Sequence, residues 1–220
     1  MDNSVVIKTA SEYDAVVFWL HGLGADGHDF EDVVPHLHLD DRLKIKFVFP
    51  HAPTMPVTIN NGMSMRAWFD IANSELGRSS DIEGIRLSAK NLATWIQQEL
   101  LNGIDSKRII LAGFSQGGVI ALEVGLRFEK ALGGVIALST YSPTAELLST
   151  EKSISNQKIP IFWGHGSADP VVSIELGRFT AKIIEKEGFK VDFREYPMLP
   201  HSVSMPEIKE IGAFINQILL

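Results

Sequence analysis

The sequence predicts an α/β fold: a mostly parallel central sheet with helices on both faces. Three observations predict it. Apolar strand-like runs alternate with segments of helical period along the whole chain, the order that builds a layered parallel sheet. The later strand runs, such as Gly134–Leu138 and Ile159–Trp163, are apolar on both sides, as strands covered from both faces must be. The 220 residues, 45% hydrophobic and 21% charged, match ordinary globular usage and suffice for one core.

The elements follow in order. Val5–Lys8, Ala15–Leu20 and Ile45–Phe49 read as strands, the third closed by Pro50. Val5 and Ala15 are too close for a helical crossover, so antiparallel strands are expected at the start of the chain. Asp29–His38 reads as a short helix. Residues 53–80 are long and irregular, yet carry Met55, Ile59, Met63, Met65, Trp68, Phe69 and Ile71, so they read as a flexible flap over an apolar groove. Met63, Met65 and Trp68 are therefore candidate substrate-binding residues, although Trp68 and Phe69 read equally well as core anchors. Ile85, Ala89, Leu92, Ile96 and Leu100 share one face of a helix over Asp81–Leu101, with Ser80 and Glu83 as a capping box and Gly103 as its stop. Arg108–Ala112, Gly134–Leu138, Ile159–Trp163 and Val191–Tyr196 read as strands; Gln116–Phe128, Ile174–Glu187 and Pro206–Leu219 read as helices. One domain is expected over residues 1–220.

Charge and composition exclude several classes. With 20 Lys+Arg against 27 Asp+Glu the net charge is −7, so a nucleic-acid partner is not expected. No cysteine is present, which removes thiol nucleophiles and Cys-ligated metals. There is no HExxH, no metal-spaced cluster and no P-loop, so neither a metal nor a cofactor is expected. The longest plain apolar run, Ala15–Leu20, is far short of the about 20 residues a membrane span needs, and no basic leader opens the chain; a cytoplasmic protein is expected.

The chemistry centres on Gly113-Phe114-Ser115-Gln116-Gly117, a G-x-S-x-G pattern between a predicted strand and a predicted helix. That is the context of a nucleophile elbow, a tight turn that pushes the serine hydroxyl out and leaves no room for side chains two residues either side. A serine needs a base, and the base an orienting acid, supplied from loops at the C-terminal ends of later strands. Ile159–Trp163 leads to Asp169, and Val191–Tyr196 leads to His201, so these are the expected acid and base. His165 precedes the acid and reads as structural. The developing oxyanion needs backbone donors. Gln116 N–H at the helix start is one, and Leu23 N–H in His21-Gly22-Leu23-Gly24, after strand Ala15–Leu20, is the other. The same stretch spells Gly22-x-Gly24-x-x-Gly27, a dinucleotide-binding pattern. That reading needs an acid at the end of the next strand, where this chain has Phe49-Pro50-His51.

Taken together, His21-Gly22-Leu23-Gly24, Trp68-Phe69-Asp70, Gly113 to Gly118, His165-Gly166, Asp169-Pro170-Val171-Val172 and His201-Ser202-Val203 resemble the carboxylesterase/acyl-protein thioesterase family of α/β hydrolases, in order over nearly the whole chain. The resemblance implies an α/β-hydrolase without a large cap domain. It implies cleavage of carboxylic esters and fatty-acyl thioesters, in some members of lysophospholipids or S-acylated proteins, by Ser115, Asp169 and His201 with Leu23 and Gln116 as oxyanion donors. Phe30 stands where many members have Trp, and Val119 where alanine is common. Phe114 joins Met63, Met65 and Trp68 as an expected apolar wall for the substrate. Apolar segments beside the pocket leave open a transient membrane-surface contact or a homodimer contact. A dienelactone-type hydrolase would want a cysteine nucleophile. A catalytically weak ligand-binding module on the same fold is the alternative of a different class.

Overall fold

The computed structural model describes residues 4–72 and 80–220. Strands β1 (Val5–Lys8), β2 (Ala15–Leu20) and β3 (Ile45–Phe49) come first, followed by β4 (Thr54–Val57) and β5 (Met63–Arg66). Helix α1 (Ile82–Leu101) leads to β6 (Ile109–Phe114), α2 (Gln116–Gly125) and β7 (Gly134–Leu138). A one-turn α3 (Leu148–Glu151), β8 (Ile161–Gly166), α4 (Ile174–Lys186), β9 (Val191–Tyr196) and α5 (Met205–Leu219) complete the chain. The main sheet runs β1-β3-β2-β6-β7-β8-β9, parallel except at β1. The antiparallel opening strand is present, but its partner is β3 rather than β2: Val5 pairs with Phe49, and Lys8 with Lys46.

Side-chain alternation divides the core into two layers. Val16, Phe18 and Leu20 face α1, α2 and α4 with Ile85, Leu92, Val119 and Ile184. Val17, Trp19, Phe47 and Phe49 face α5 with Ile208, Ile211 and Ile215. Helices cover both layers, which leaves the loops at the C-terminal ends of the strands for a site.

Several local expectations change. The helix expected over Asp29–His38 is a 3-10 segment, Glu31–His36, because Pro35 inside it has no N–H for a longer ladder. Asp81, not Ser80, caps α1, accepting from Gly84 N at 2.9 Å. Gly103, at φ +92, ends that helix as expected. Strand β8 begins two residues later than expected, at Ile161 after Pro160, and runs on through Gly164-His165-Gly166. The segment read as irregular contains the β4–β5 hairpin, turned through Asn61 (φ 56) and Gly62 (φ +73). Residues 73–79, part of the expected flap, lie outside the described residues.

Candidate active site

The elbow is built from steric exclusion. Ser115 sits between β6 and α2 at φ 53, ψ −118, a conformation disfavoured for any residue with a Cβ. Its neighbours make the turn tight enough to need it. A Cβ on Gly113 would lie 2.2 Å from the Gly117 carbonyl oxygen, and one on Gly117 would lie 2.3 Å from the Leu20 carbonyl oxygen. Ser115 N donates to Leu138 O at 2.9 Å, and Thr140 Oγ1 donates to Ser115 O at 2.7 Å, so β7 and the residues after it hold the turn in place. Gly117→Ala is expected to destabilise the protein by about 1–3 kcal/mol through overpacking against backbone that cannot yield. At about 2–4 °C per kcal/mol for a chain of this size, a thermal melt reads the effect directly.

The expected acid and base meet on the next two loops. His201 Nδ1 donates to Asp169 Oδ2 at 2.7 Å. Asp169 Oδ1 accepts from Val171 N at 2.8 Å and Val172 N at 2.9 Å. Burial pushes this carboxyl up, but the His201 bond and the two amides outweigh it and hold Asp169 below the ordinary carboxylate range. The loop bearing His201 is fixed from behind: Ala168 N donates to Leu199 O at 3.1 Å, and Met198 N donates to Ser167 Oγ at 2.9 Å. Phe114 lies against His201, ring centroids 4.7 Å apart.

The two nearby histidines serve the scaffold. His165 is fully buried; its Nε2 donates to Val172 O at 2.9 Å, so it braces the loop whose amides hold Asp169. His21 Nδ1 donates to Gly22 O at 2.7 Å while Nε2 accepts from Ala52 N at 3.0 Å. Burial lowers its pKa to about 4, in keeping with that neutral tautomer.

The loop after β2 is clamped by the segment that follows β3. Gly24 N donates to Arg66 O at 2.8 Å and Ala25 N to Gly22 O at 3.3 Å, so the amides after Leu23 are engaged within the scaffold. Gln116 opens α2, where first-turn amides have no intrahelical acceptor. Its side chain, a role the sequence reading missed, grips the 67–70 stretch: Oε1 accepts from Trp68 N at 2.9 Å and Nε2 donates to Phe69 O at 2.7 Å.

Ser115, Gln116, Leu23, Phe114 and His201 line one cavity of about 370 Å³, with Ile71, Tyr141 and Val171 among its other walls. The expected substrate wall is therefore corrected. Trp68 is buried in the core, 3% exposed, and donates Nε1 to His21 O at 2.8 Å. It shapes the loop and does not line this cavity. Met63 and Met65 lie on the β4–β5 hairpin and do not line this cavity; Met63 is 64% exposed. Phe114 does line it. Burial raises the Tyr141 hydroxyl to about 12, so it contributes a neutral wall. Phe30 stacks on Trp19 at 5.4 Å and contacts Phe114 at 5.7 Å, so it supports that wall from below. Among the described residues no group of three or more His, Asp or Glu is arranged for a metal, and no helix is long and apolar enough to cross a membrane.

Comparison with known proteins agrees with this geometry. A family model described as Phospholipase/Carboxylesterase matches residues 1–219. The chain is similar to acyl-protein thioesterase 1 of Gibberella zeae, with 36% identity over 221 residues, 97% of this chain and 94% of that protein. Among solved structures, Arabidopsis thaliana SOBER1 superposes with a TM-score of 0.89 at 33% identity, covering 94% of this chain and 99% of that one. Zea mays acyl-protein thioesterase 2 superposes with a TM-score of 0.86 at 27% identity, covering 99% of each chain. An elbow serine, a buried Asp–His pair and a match over nearly every residue lead to one conclusion: the chain belongs to the phospholipase/carboxylesterase family and is a serine ester hydrolase of the α/β-hydrolase fold.

Proposed function

We propose that the chain hydrolyses acyl esters and fatty-acyl thioesters through an acyl-Ser115 intermediate. The observation that carries this reading is the shared cavity: Ser115 at the elbow and His201, fixed by Asp169, open into the same apolar space. His201 Nε2 takes the Ser115 proton as Oγ attacks the acyl carbon. The C–O or C–S bond then breaks as the same nitrogen returns that proton to the leaving alkoxide or thiolate. A water repeats the sequence on the acyl-enzyme and releases the acid. Asp169 holds Nδ1–H, so that Nε2 is the free acceptor, and stabilises the imidazolium that forms. The Leu23 and Gln116 amides receive the oxyanion, with the dipole of α2 adding to the second. Ester and thioester converge on that one tetrahedral oxyanion, so both are substrates.

The names of the relatives favour a fatty-acyl thioester of a protein as the substrate, and a lysophospholipid is the second acyl donor of the same chemistry. In this reading the β4–β5 hairpin flanks the mouth as a flap, tied to the oxyanion loop through the Arg66 carbonyl. The protein works in the cytoplasm and meets acyl chains at a membrane surface.

Specificity follows from the walls. Ile71, Val171, Phe114 and Leu23 offer hydrocarbon, so acyl carbons supply the binding energy at about 0.8 kcal/mol per buried CH₂, up to roughly fourfold per carbon. kcat/KM is expected to rise with acyl length until the cavity is filled and then to level. Ile71→Ser is expected to penalise long-chain substrates more than acetyl esters, whereas Met63→Ser leaves the ratio unchanged. A chain-length series of esters and thioesters run on the parent and both variants tests this. A flat profile in the parent would remove the acyl-chain assignment.

A further inference from the structure

The structure holds a carboxyl group that the reaction does not use. Glu207, in the first turn of α5, is fully buried. Its Oε2 accepts from Ser204 N at 3.3 Å while Ser204 Oγ accepts from Glu207 N at 3.3 Å, a reciprocal cap three residues beyond His201. Its other oxygen, Oε1, has no hydrogen-bond partner among the described residues. Oε1 is pressed against β8: a Cβ on Gly164 would lie 2.1 Å from it. Gly164 is two residues before Gly166, where a Cβ would lie 2.2 Å from the Leu199 carbonyl oxygen of the His201 loop. Glu207 thus closes the far end of the loop that β8 supports from beneath.

Among the described residues the surroundings give the carboxyl no cation. Glu210, one turn along α5, faces it with the same charge. Tyr196 on β9 donates its hydroxyl to Glu210 Oε2 at 2.6 Å. Arg194 on β9 is paired with Asp192 at 2.9 Å and Glu210 at 3.3 Å. On β8 the packed residue is Gly164, which carries no charge. A buried carboxylate with one oxygen unpaired and an acidic neighbour is disfavoured, and a buried carboxylic acid is not.

We propose that Glu207 is a positioning residue for His201 that works in its neutral form, pinning the end of the His201 loop to α5 and releasing it when it ionises. Burial raises its pKa to about 7, which places that change near neutral pH. The sign follows. A group with a raised folded-state pKa contributes stability that is present below its unfolded value and is lost as pH rises through its folded value. Stability attributable to Glu207 therefore declines from about pH 4.5 upward and is gone above about 7, whereas turnover, which depends on the folded state alone, declines only as pH rises through about 7. Glu207→Gln mimics the neutral acid at every pH and keeps an acceptor for Ser204 N.

The inference rests on His201 as the base. The test compares the full-length parent, Glu207→Gln and Ser115→Ala on one activated acyl ester from pH 5.5 to 9, with thermal melts at each pH. The expected result is equal kcat for parent and Glu207→Gln near pH 6, a several-fold advantage of the variant in kcat but not KM at pH 8.5, and a widening Tm gap in its favour. Parallel pH profiles in parent and variant would overturn the inference. Should Glu207→Gln fail to fold, carboxyl-resolved ¹³C titration of the parent decides. One glutamate titrating near neutrality supports the inference, and all glutamates titrating in the acid range overturn it. Failure of the underlying reading is distinct, because it appears as turnover that survives Ser115→Ala at every pH.

Discussion

Ser115→Ala is expected to lose on the order of 10⁶ in kcat and all labelling by a fluorophosphonate probe, with little change in melting temperature. The size of the loss comes from the position, since the elbow delivers this one hydroxyl to the cavity. The fold is expected to survive because the backbone at φ 53 is held by bonds from Ser115 N to Leu138 O and from Thr140 Oγ1 to Ser115 O, none of which uses the serine side chain. What rate remains is the share of the oxyanion donors and of binding, on the order of 10³–10⁴ over water. Turnover and probe labelling at parental levels would exclude Ser115 as nucleophile.

Asp169→Asn is expected to cost on the order of 10⁴ in kcat while leaving the protein folded. The hydrogen bonds dictate why. The amides of Val171 and Val172 both donate to Oδ1 and require an oxygen there. The asparagine NH₂ group must then occupy the Oδ2 position and face His201 Nδ1. That forces Nδ1 to accept, moves the ring proton to Nε2, and leaves no acceptor for the Ser115 proton. The same substitution changes the acid limb of stability. Asp169 has a depressed pKa, so its contribution is present above its unfolded value of about 4 and is lost as pH falls through the lower folded value. Melts of the two proteins should therefore converge on acidification, while steady-state kinetics at neutral pH separate them.

The parts of this site that were legible in the sequence are those where chemistry restricts residue type locally. Gly113 and Gly117 mark an elbow because any Cβ there meets backbone, and the strands before Asp169 and His201 deliver both to one edge of the sheet. Elements whose cause is tertiary were not legible. Thr54–Val57 contains Pro56, and Met63–Arg66 lacks β-branched residues, so neither reads as a strand until the hairpin pairs them. The left-handed Asn61 and Gly62 were the local signal for that turn. Trp68 reads in the sequence equally well as a pocket aromatic or a core anchor, and its burial and its bond to the His21 carbonyl decide for the core. Of the cavity walls, Ile71 belongs to the segment read as a flap, whereas Tyr141 and Val171 come from separate loops with no shared pattern, and the buried capping acid Glu207 looks in sequence like any surface helix start.

The acyl-enzyme itself is the most direct test of the mechanism. The parent is mixed with a slowly deacylating ester, quenched in acid at short times, and examined by intact-mass and peptide mass spectrometry. The expected result is a burst of about one leaving group per protein, matched by an acyl adduct on the peptide carrying Ser115, absent in Ser115→Ala and slow to form in Asp169→Asn. Turnover with no covalent adduct, or an adduct on any other residue, would contradict the account.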